Sequence, residues 1–135
     1  YRAARPRRRR DRALWSRPYF DRDRVGIQGT SYGGYSSVMT LLRHPDAFRA
    51  AVASSAVTSW IHYDTIYTER YMGLPQENEE NYKASSPVHH AANLKAKLML
   101  AHNFEDDNVL FQHTFRMMDA LQKAGEIRYQ APGAS

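Results

Sequence analysis

Val25-Gly26-Ile27-Gln28-Gly29-Thr30-Ser31-Tyr32-Gly33-Gly34-Tyr35 is the stretch on which the fold turns. Val25–Gln28 reads as a short strand bounded by glycine. Gly33–Leu42 carries Tyr35, Val38, Met39 and Leu42 at helical spacing. Between them Gly29-Thr30-Ser31-Tyr32-Gly33 fits G-x-S-x-G, and strand, tight turn and helix in succession are the setting a nucleophile elbow needs. The reason is steric. In so tight a turn the serine backbone is strained, and only small residues are expected two positions before and after it. That geometry lifts the Ser31 hydroxyl clear of the sheet. It also leaves the Tyr32 N–H, at a helix N-terminus, free to donate to a developing oxyanion.

Outward from the elbow, strands and helices alternate. His44-Pro45-Asp46 ends the first helix, because proline disfavours helical geometry in the residue before it. Ala50–Ala53 reads as a short buried strand. Asp64–Met72 looks helical and stops at Gly73-Leu74-Pro75. A polar stretch follows at 76–81, then the breaker Ser86-Pro87, then a second buried strand at Leu98–Ala101. Val109–Lys123 has helix periodicity through Leu110, Phe111, Phe115, Met118 and Leu121, closed by Gly125. Ile127–Gln130 could begin one more strand. The alternation predicts an α/β fold with a parallel sheet and flanking helices.

The 135 residues carry a formal charge of +5, unevenly placed. Residues 1–24 hold ten arginines against three aspartates, so 10 − 3 = +7; the rest has nine basic and eleven acidic residues, so 9 − 11 = −2. The body is thus mildly acidic, which argues against a protein that coats nucleic acid. The run Arg7–Arg10 reads as a solvated, poorly ordered lead-in over 1–17, with anion binding as the sharper alternative. No cysteine is present, so there is no disulfide framework and no thiolate site. No apolar run reaches a membrane span, the N-terminus lacks a signal-peptide pattern, and the first residue is Tyr1. A piece of something longer is the expectation, with no compartment indicated.

A serine nucleophile needs a base, and the base needs an orienting carboxylate. In α/β-hydrolases the order is Ser, Asp, His, with the acid on a loop after a later strand. Asp106 and Asp107 follow the strand at Leu98–Ala101 and suit that loop, although either could merely N-cap the next helix. Downstream only His113 remains, inside the predicted helix, where it reads as a surface or packing residue. His44, His62, His89, His90 and His102 all precede Asp107. The triad is incomplete as written.

At this point a family resemblance appears. Gly29–Tyr35 resembles the G-x-S-Y-G-G-Y elbow of the prolyl oligopeptidase family of serine peptidases (S9). Trp60 and Tyr63-Asp64-Thr65-Ile66-Tyr67-Thr68-Glu69-Arg70-Tyr71-Met72-Gly73 resemble a segment of its dipeptidyl peptidase IV-like branch, and Asp106–Val109 resembles that branch's acid loop. The resemblance implies a partial α/β-hydrolase fold at 18–135, incomplete at both ends. It implies Ser31 as nucleophile, Asp106 as triad acid and the Tyr32 N–H as oxyanion donor. Val57, Trp60, Tyr63, Tyr67 and Val109 would line a proline pocket, and Asn108 would bond the substrate carbonyl before it. Proline is apolar and lacks an N–H, so aromatic walls can recognise it by shape alone. Tyr63 and Tyr67, four apart, are expected on one face of the Asp64–Met72 helix.

The implied reaction is proteolysis through an acyl-enzyme, on peptides with penultimate proline or alanine, by the parent protein. No metal or cofactor is implied; the partners are a peptide substrate and, in the full-length parent, a homo-oligomer, with no specific nucleic-acid or membrane partner. Without its base, this chain is expected to be close to inactive alone. Thr30 and Asn103-Phe104-Glu105 depart from the branch's usual residues. The competing readings are another α/β-hydrolase, such as an acylaminoacyl peptidase or esterase, and a non-catalytic fragment with an anion-binding arginine-rich tail.

Overall fold

The computed structural model describes residues 16–126. The candidate strand at Ile127–Gln130 and all but the last two residues of the arginine-rich lead-in lie outside them. Three five-residue strands, β1 (Gly26–Thr30), β2 (Ala50–Ser54) and β3 (Lys97–Ala101), pair in parallel in that order. Their register runs level from Gly26, Ala50 and Lys97 to Thr30, Ser54 and Ala101. All three loops that leave the C-terminal ends therefore start from one edge of the sheet, where open α/β sheets place their ligands.

Helix α1 (Tyr32–Arg43) follows β1 directly. Its Val38, Leu41 and Leu42 pack with Ala51 and Ala53 of β2 and with Met117 and Leu121 of α4 (Gln112–Lys123). Ile27, Leu98 and Leu100 complete this core from the same face of the sheet. Side chains alternate across a strand, so the residues between them face the other way. Val52 is 37% and Met99 61% exposed. The strands were expected to be buried; among the described residues the helices cover one face only, whereas a parallel sheet is ordinarily covered on both.

Helix α2 (Thr65–Met72) is built as its residues dictate. The Asp64 carboxylate accepts from the N–H of Ile66 at 2.8 Å, and Gly73, at φ 70°, ends the helix by donating to the Glu69 carbonyl at 2.9 Å. Helix α3 (Glu79–Ser85) and a 3-10 run at Pro87–Asn93 fill what looked like a polar connection. The first turn of α3 carries Glu79 and Glu80, favourable against the helix dipole. Tyr82 is its one buried residue, with its hydroxyl donating to the Gly73 carbonyl at 2.7 Å.

The last helix differs from expectation in start and in face. It begins at Gln112 rather than Val109, and it buries His113, Thr114, Met117 and Leu121 while Phe115 and Met118 are exposed. The start is late because the N–H groups of Asn108 and Val109 bond to Asp106. The face rotates because polar His113 and Thr114 are paid for by hydrogen bonds inside the fold.

Candidate active site

Ser31 stands between β1 and α1 at φ 56°, ψ −122°, a left-handed backbone that a side-chain-bearing residue adopts only under strain. Two bonds pin it: its N–H donates to the Ser54 carbonyl at 2.9 Å, and its carbonyl accepts from the Tyr35 N–H at 2.9 Å. Tyr32 is the first residue of α1, so its N–H has no acceptor within the helix. The glycines share the work unequally. A Cβ at Gly29 would lie 2.3 Å from the Gly33 carbonyl carbon, so that position must be bare. At Gly33 a Cβ would meet nothing within 4 Å, which corrects the expectation that the residue two after the serine must be small. The constraint falls on Gly34, whose Cβ would meet the Ser54 carbonyl at 2.8 Å and Ala56 Cβ at 3.0 Å.

Asp106 lies on the loop after β3, level with the elbow. Its Oδ1 accepts from the N–H of Asn108 at 3.2 Å and of Val109 at 2.9 Å. The Ser55 hydroxyl, the largest influence, and these N–H groups hold its carboxyl below the usual aspartate range, with His102 adding a smaller effect. Neither Asp106 nor Asp107 caps α4; Phe111 occupies that N-cap and makes no side-chain cap bond. His102, beneath the loop with its side chain fully buried, places Nε2 2.6 Å from the Val109 carbonyl and Nδ1 2.7 Å from Thr114 Oγ1. A carbonyl only accepts, so Nε2 donates to Val109, and in the neutral ring Nδ1 accepts from the threonine hydroxyl.

The residues expected to line a proline pocket converge around Trp60. Val57, Trp60 and Val109 are buried together with Tyr35, Met39 and Tyr82, and Tyr63 packs against them. The Trp60 ring stacks on Tyr67 at 6.2 Å and meets Tyr63 edge-on at 5.7 Å. Tyr63 and Tyr67 meet edge-on at 5.6 Å. Their convergence is not that of two residues on one helix face: Tyr63 precedes α2, in extended backbone after the 3-10 turn Trp60–His62. Trp60 is fixed by its N–H to Ser86 Oγ at 2.9 Å and its indole N–H to the Ser85 carbonyl at 3.1 Å. The Tyr63 hydroxyl donates to Asn108 Oδ1 at 3.3 Å, joining the aromatic wall to the acid loop. Burial, foremost, pushes the Tyr63 phenol up, so it remains a neutral donor.

Sequence reasoning missed Tyr35, Tyr82, Ser55 and His102. Tyr35 was hidden because it also served the helix period, and Tyr82 because it sits in a polar stretch. The placement of Ser55 and His102 depends on contacts between strand ends and loops that no local pattern marks. A separate groove of about 440 Å³, lined in part by His62, Lys83, His89 and Arg116, shares only Tyr82 with the aromatic cluster. Among the described residues there is no group of three or more His, Asp or Glu that could hold a metal, and no helix long and apolar enough to cross a membrane.

The family model described as "Prolyl oligopeptidase family" matches residues 11–131. Over 111 residues the chain is 48% identical to dipeptidyl peptidase 8 of Homo sapiens and equally to that of Mus musculus; the match takes in 80% of this chain and 12% of each relative. The crystal structure of Porphyromonas gingivalis dipeptidyl peptidase 4 superposes with a TM-score of 0.79 at 41% identity, over 84% of this chain and 16% of that one. The chain thus spans about an eighth of the length of the curated relatives it matches.

Proposed function

The chain belongs to the prolyl oligopeptidase family, and on that premise we propose that it carries the nucleophile, the acid and the proline pocket of a dipeptidyl peptidase IV-like serine peptidase. Ser31 attacks the scissile carbonyl and forms an acyl-enzyme. The Tyr32 N–H donates to the oxyanion as charge develops there. Asp106, ionised at neutral pH, orients the base and stabilises its protonated form. Val57, Trp60, Tyr63, Tyr67 and Val109 enclose a penultimate proline or alanine side chain, and Asn108 bonds the carbonyl before it. Residues 18–135 belong, in this reading, to one α/β-hydrolase catalytic domain.

The observation that carries the reading is the left-handed backbone of Ser31 at the β1–α1 junction, level with the Asp106 loop. Strain of this kind persists only where the surroundings impose it, and it is concentrated at functional sites. Two observations favour a base that is not supplied by His113 or His102. His113 is 1% exposed and its Nδ1 accepts from Thr58, while His102 is fully buried with both ring nitrogens engaged. In this reading the parent protein supplies the base, and the 135 residues alone are close to inactive.

Turnover of an X-Pro chromogenic dipeptide by the full-length protein tests this. Ser31→Ala should lower kcat by up to about 10⁶-fold. Tyr67→Ala should lose the proline substrate and spare simple esters. Loss of both substrates alike would favour a general esterase, and undiminished turnover in Ser31→Ala would remove the serine from the mechanism. For the 135-residue chain, slow or absent labelling by a fluorophosphonate is expected; rapid stoichiometric labelling of Ser31 would overturn its inactivity.

A further inference from the structure

β3 ends at Ala101, and the next residue, His102, sits beneath the loop that bears Asp106 with its side chain fully buried. Its ring is held from both sides by bonds of opposite sense. Nε2 donates to the Val109 carbonyl at 2.6 Å, and Nδ1 accepts from the Thr114 hydroxyl at 2.7 Å. The Phe111 ring packs edge-on against the imidazole at 5.7 Å. Nε2 also faces Asp106, with Oδ2 at 3.5 Å. That separation is long for a hydrogen bond, so the Val109 carbonyl is the principal acceptor.

Val109 is therefore held at both ends of its own backbone. Its N–H donates to Asp106 Oδ1 at 2.9 Å, and its carbonyl accepts from His102. Its side chain is 1% exposed and packs in the cluster of Val57, Trp60 and Tyr35. One residue thus belongs to two parts of the site, by its backbone to the acid and by its side chain to the aromatic wall. We infer that His102 is a positioning residue that holds Asp106 and the Val109 wall of the proline pocket in one fixed relation, acting through the Val109 carbonyl. Thr114, in the first turn of α4, selects the tautomer: its hydroxyl given to Nδ1 keeps the hydrogen of the neutral ring on Nε2, where Val109 needs it. An apolar side chain of similar size would fill the same space and supply neither bond. The effect of such a residue is geometric, because a misplacement of about 1 Å in a catalytic group can cost about 100-fold in rate.

The inference rests on the proposed roles of Asp106 and Val109. Its test uses the full-length protein with X-Pro and X-Ala chromogenic dipeptides, and rates are counted per active site after fluorophosphonate labelling to completion. Two substitutions split the ring. A glutamine amide puts an N–H donor near the place of Nε2 and keeps the bond to Val109. An asparagine amide puts an oxygen near the place of Nδ1, keeps an acceptor for Thr114 and falls short of Val109. His102→Asn should lower kcat/KM for X-Pro by about 100-fold per titrated site and reduce the preference for X-Pro over X-Ala. His102→Gln should recover at least about tenfold of that loss, and the preference with it. A purely structural role would lower the number of titrated sites and leave both the rate per site and the preference unchanged; that result overturns the inference. Equal losses in the two variants would trace to the bulk of the ring and overturn it as well. Should neither variant fold, Thr114→Val decides, since it keeps the shape and removes only the hydroxyl that holds Nδ1. The X-Pro to X-Ala ratio per site should then fall, and an unchanged ratio overturns the inference. Full turnover in Ser31→Ala would sink the proposed function by itself; unchanged ratios in the His102 variants, with Ser31→Ala inactive, sink only the role of His102.

Discussion

The Thr58 N–H donates to His113 Nδ1 at 3.3 Å, and the Thr58 hydroxyl donates to the His113 carbonyl at 2.6 Å, so one residue after β2 grips both the ring and the backbone of one residue in α4. Thr58 lies between Val57 and Trp60, and this grip ties the aromatic cluster to the helix layer. It also requires a neutral ring, because a protonated imidazole has no acceptor nitrogen.

A pH dependence follows. Burial, above all, lowers the His113 pKa from 6.5 to about 4; the charge of nearby His62 lowers it further, and a hydrogen bond with the His62 backbone opposes this. Between those values the unfolded chain binds more protons than the folded one. Stability from this residue is therefore complete above pH 6.5, falls as the pH falls, and is gone below about 4. The loss is at most about 3 kcal/mol from the size of that shift. His62 and His89 are also lowered, chiefly by burial, and slope the same way. Urea unfolding of the unmodified chain and of His113→Gln at pH 7 and pH 5 isolates the term: the variant should lose less on acidification.

The two glycines after Tyr32 should respond oppositely to alanine. Gly33→Ala adds a methyl to open space in a helix and should stabilise by up to about 1 kcal/mol. Gly34→Ala drives a Cβ toward the Ser54 carbonyl at 2.8 Å and should cost about 1–3 kcal/mol. Thermal melts of the pair decide this; equal effects would contradict the packing at the elbow.

Ser31 itself stores strain. At φ 56°, Ser31→Gly should be more stable than Ser31→Ala by about 1–2 kcal/mol, because only glycine enters that region freely. Equal unfolding midpoints in urea for the two variants would show that the turn relaxes.

Thr68 is 3% exposed, and its Oγ1 has no hydrogen-bond partner. Replacing an unsatisfied buried hydroxyl with an apolar group of the same shape removes a desolvation cost of about 1–3 kcal/mol. Thr68→Val should therefore raise the melting temperature, and a fall would indicate that the hydroxyl finds a partner in solution.

Much of this molecule was legible locally. The elbow, the capping of α2 by Asp64 with its stop at Gly73, and the three strands are each specified by neighbours in sequence, because capping, turn and helix energetics act over a few residues. The parallel sheet followed from the alternation of elements. What remained hidden depends on neighbours distant in the chain. The Val109–Lys123 periodicity gave the right helix and the wrong face, since His113 and Thr114 are buried by bonds to Thr58 and His102 that apolar spacing does not register. Gly33 and Gly34 are indistinguishable as letters; only the approach of Ser54 and Ala56 makes one of them indispensable. Asp106 could be picked as an acid from its place after a strand. That His102 lies beside it was decided by the tertiary structure, in which the level register of three parallel strands sets the elbow, the β2 end and the Asp106 loop side by side.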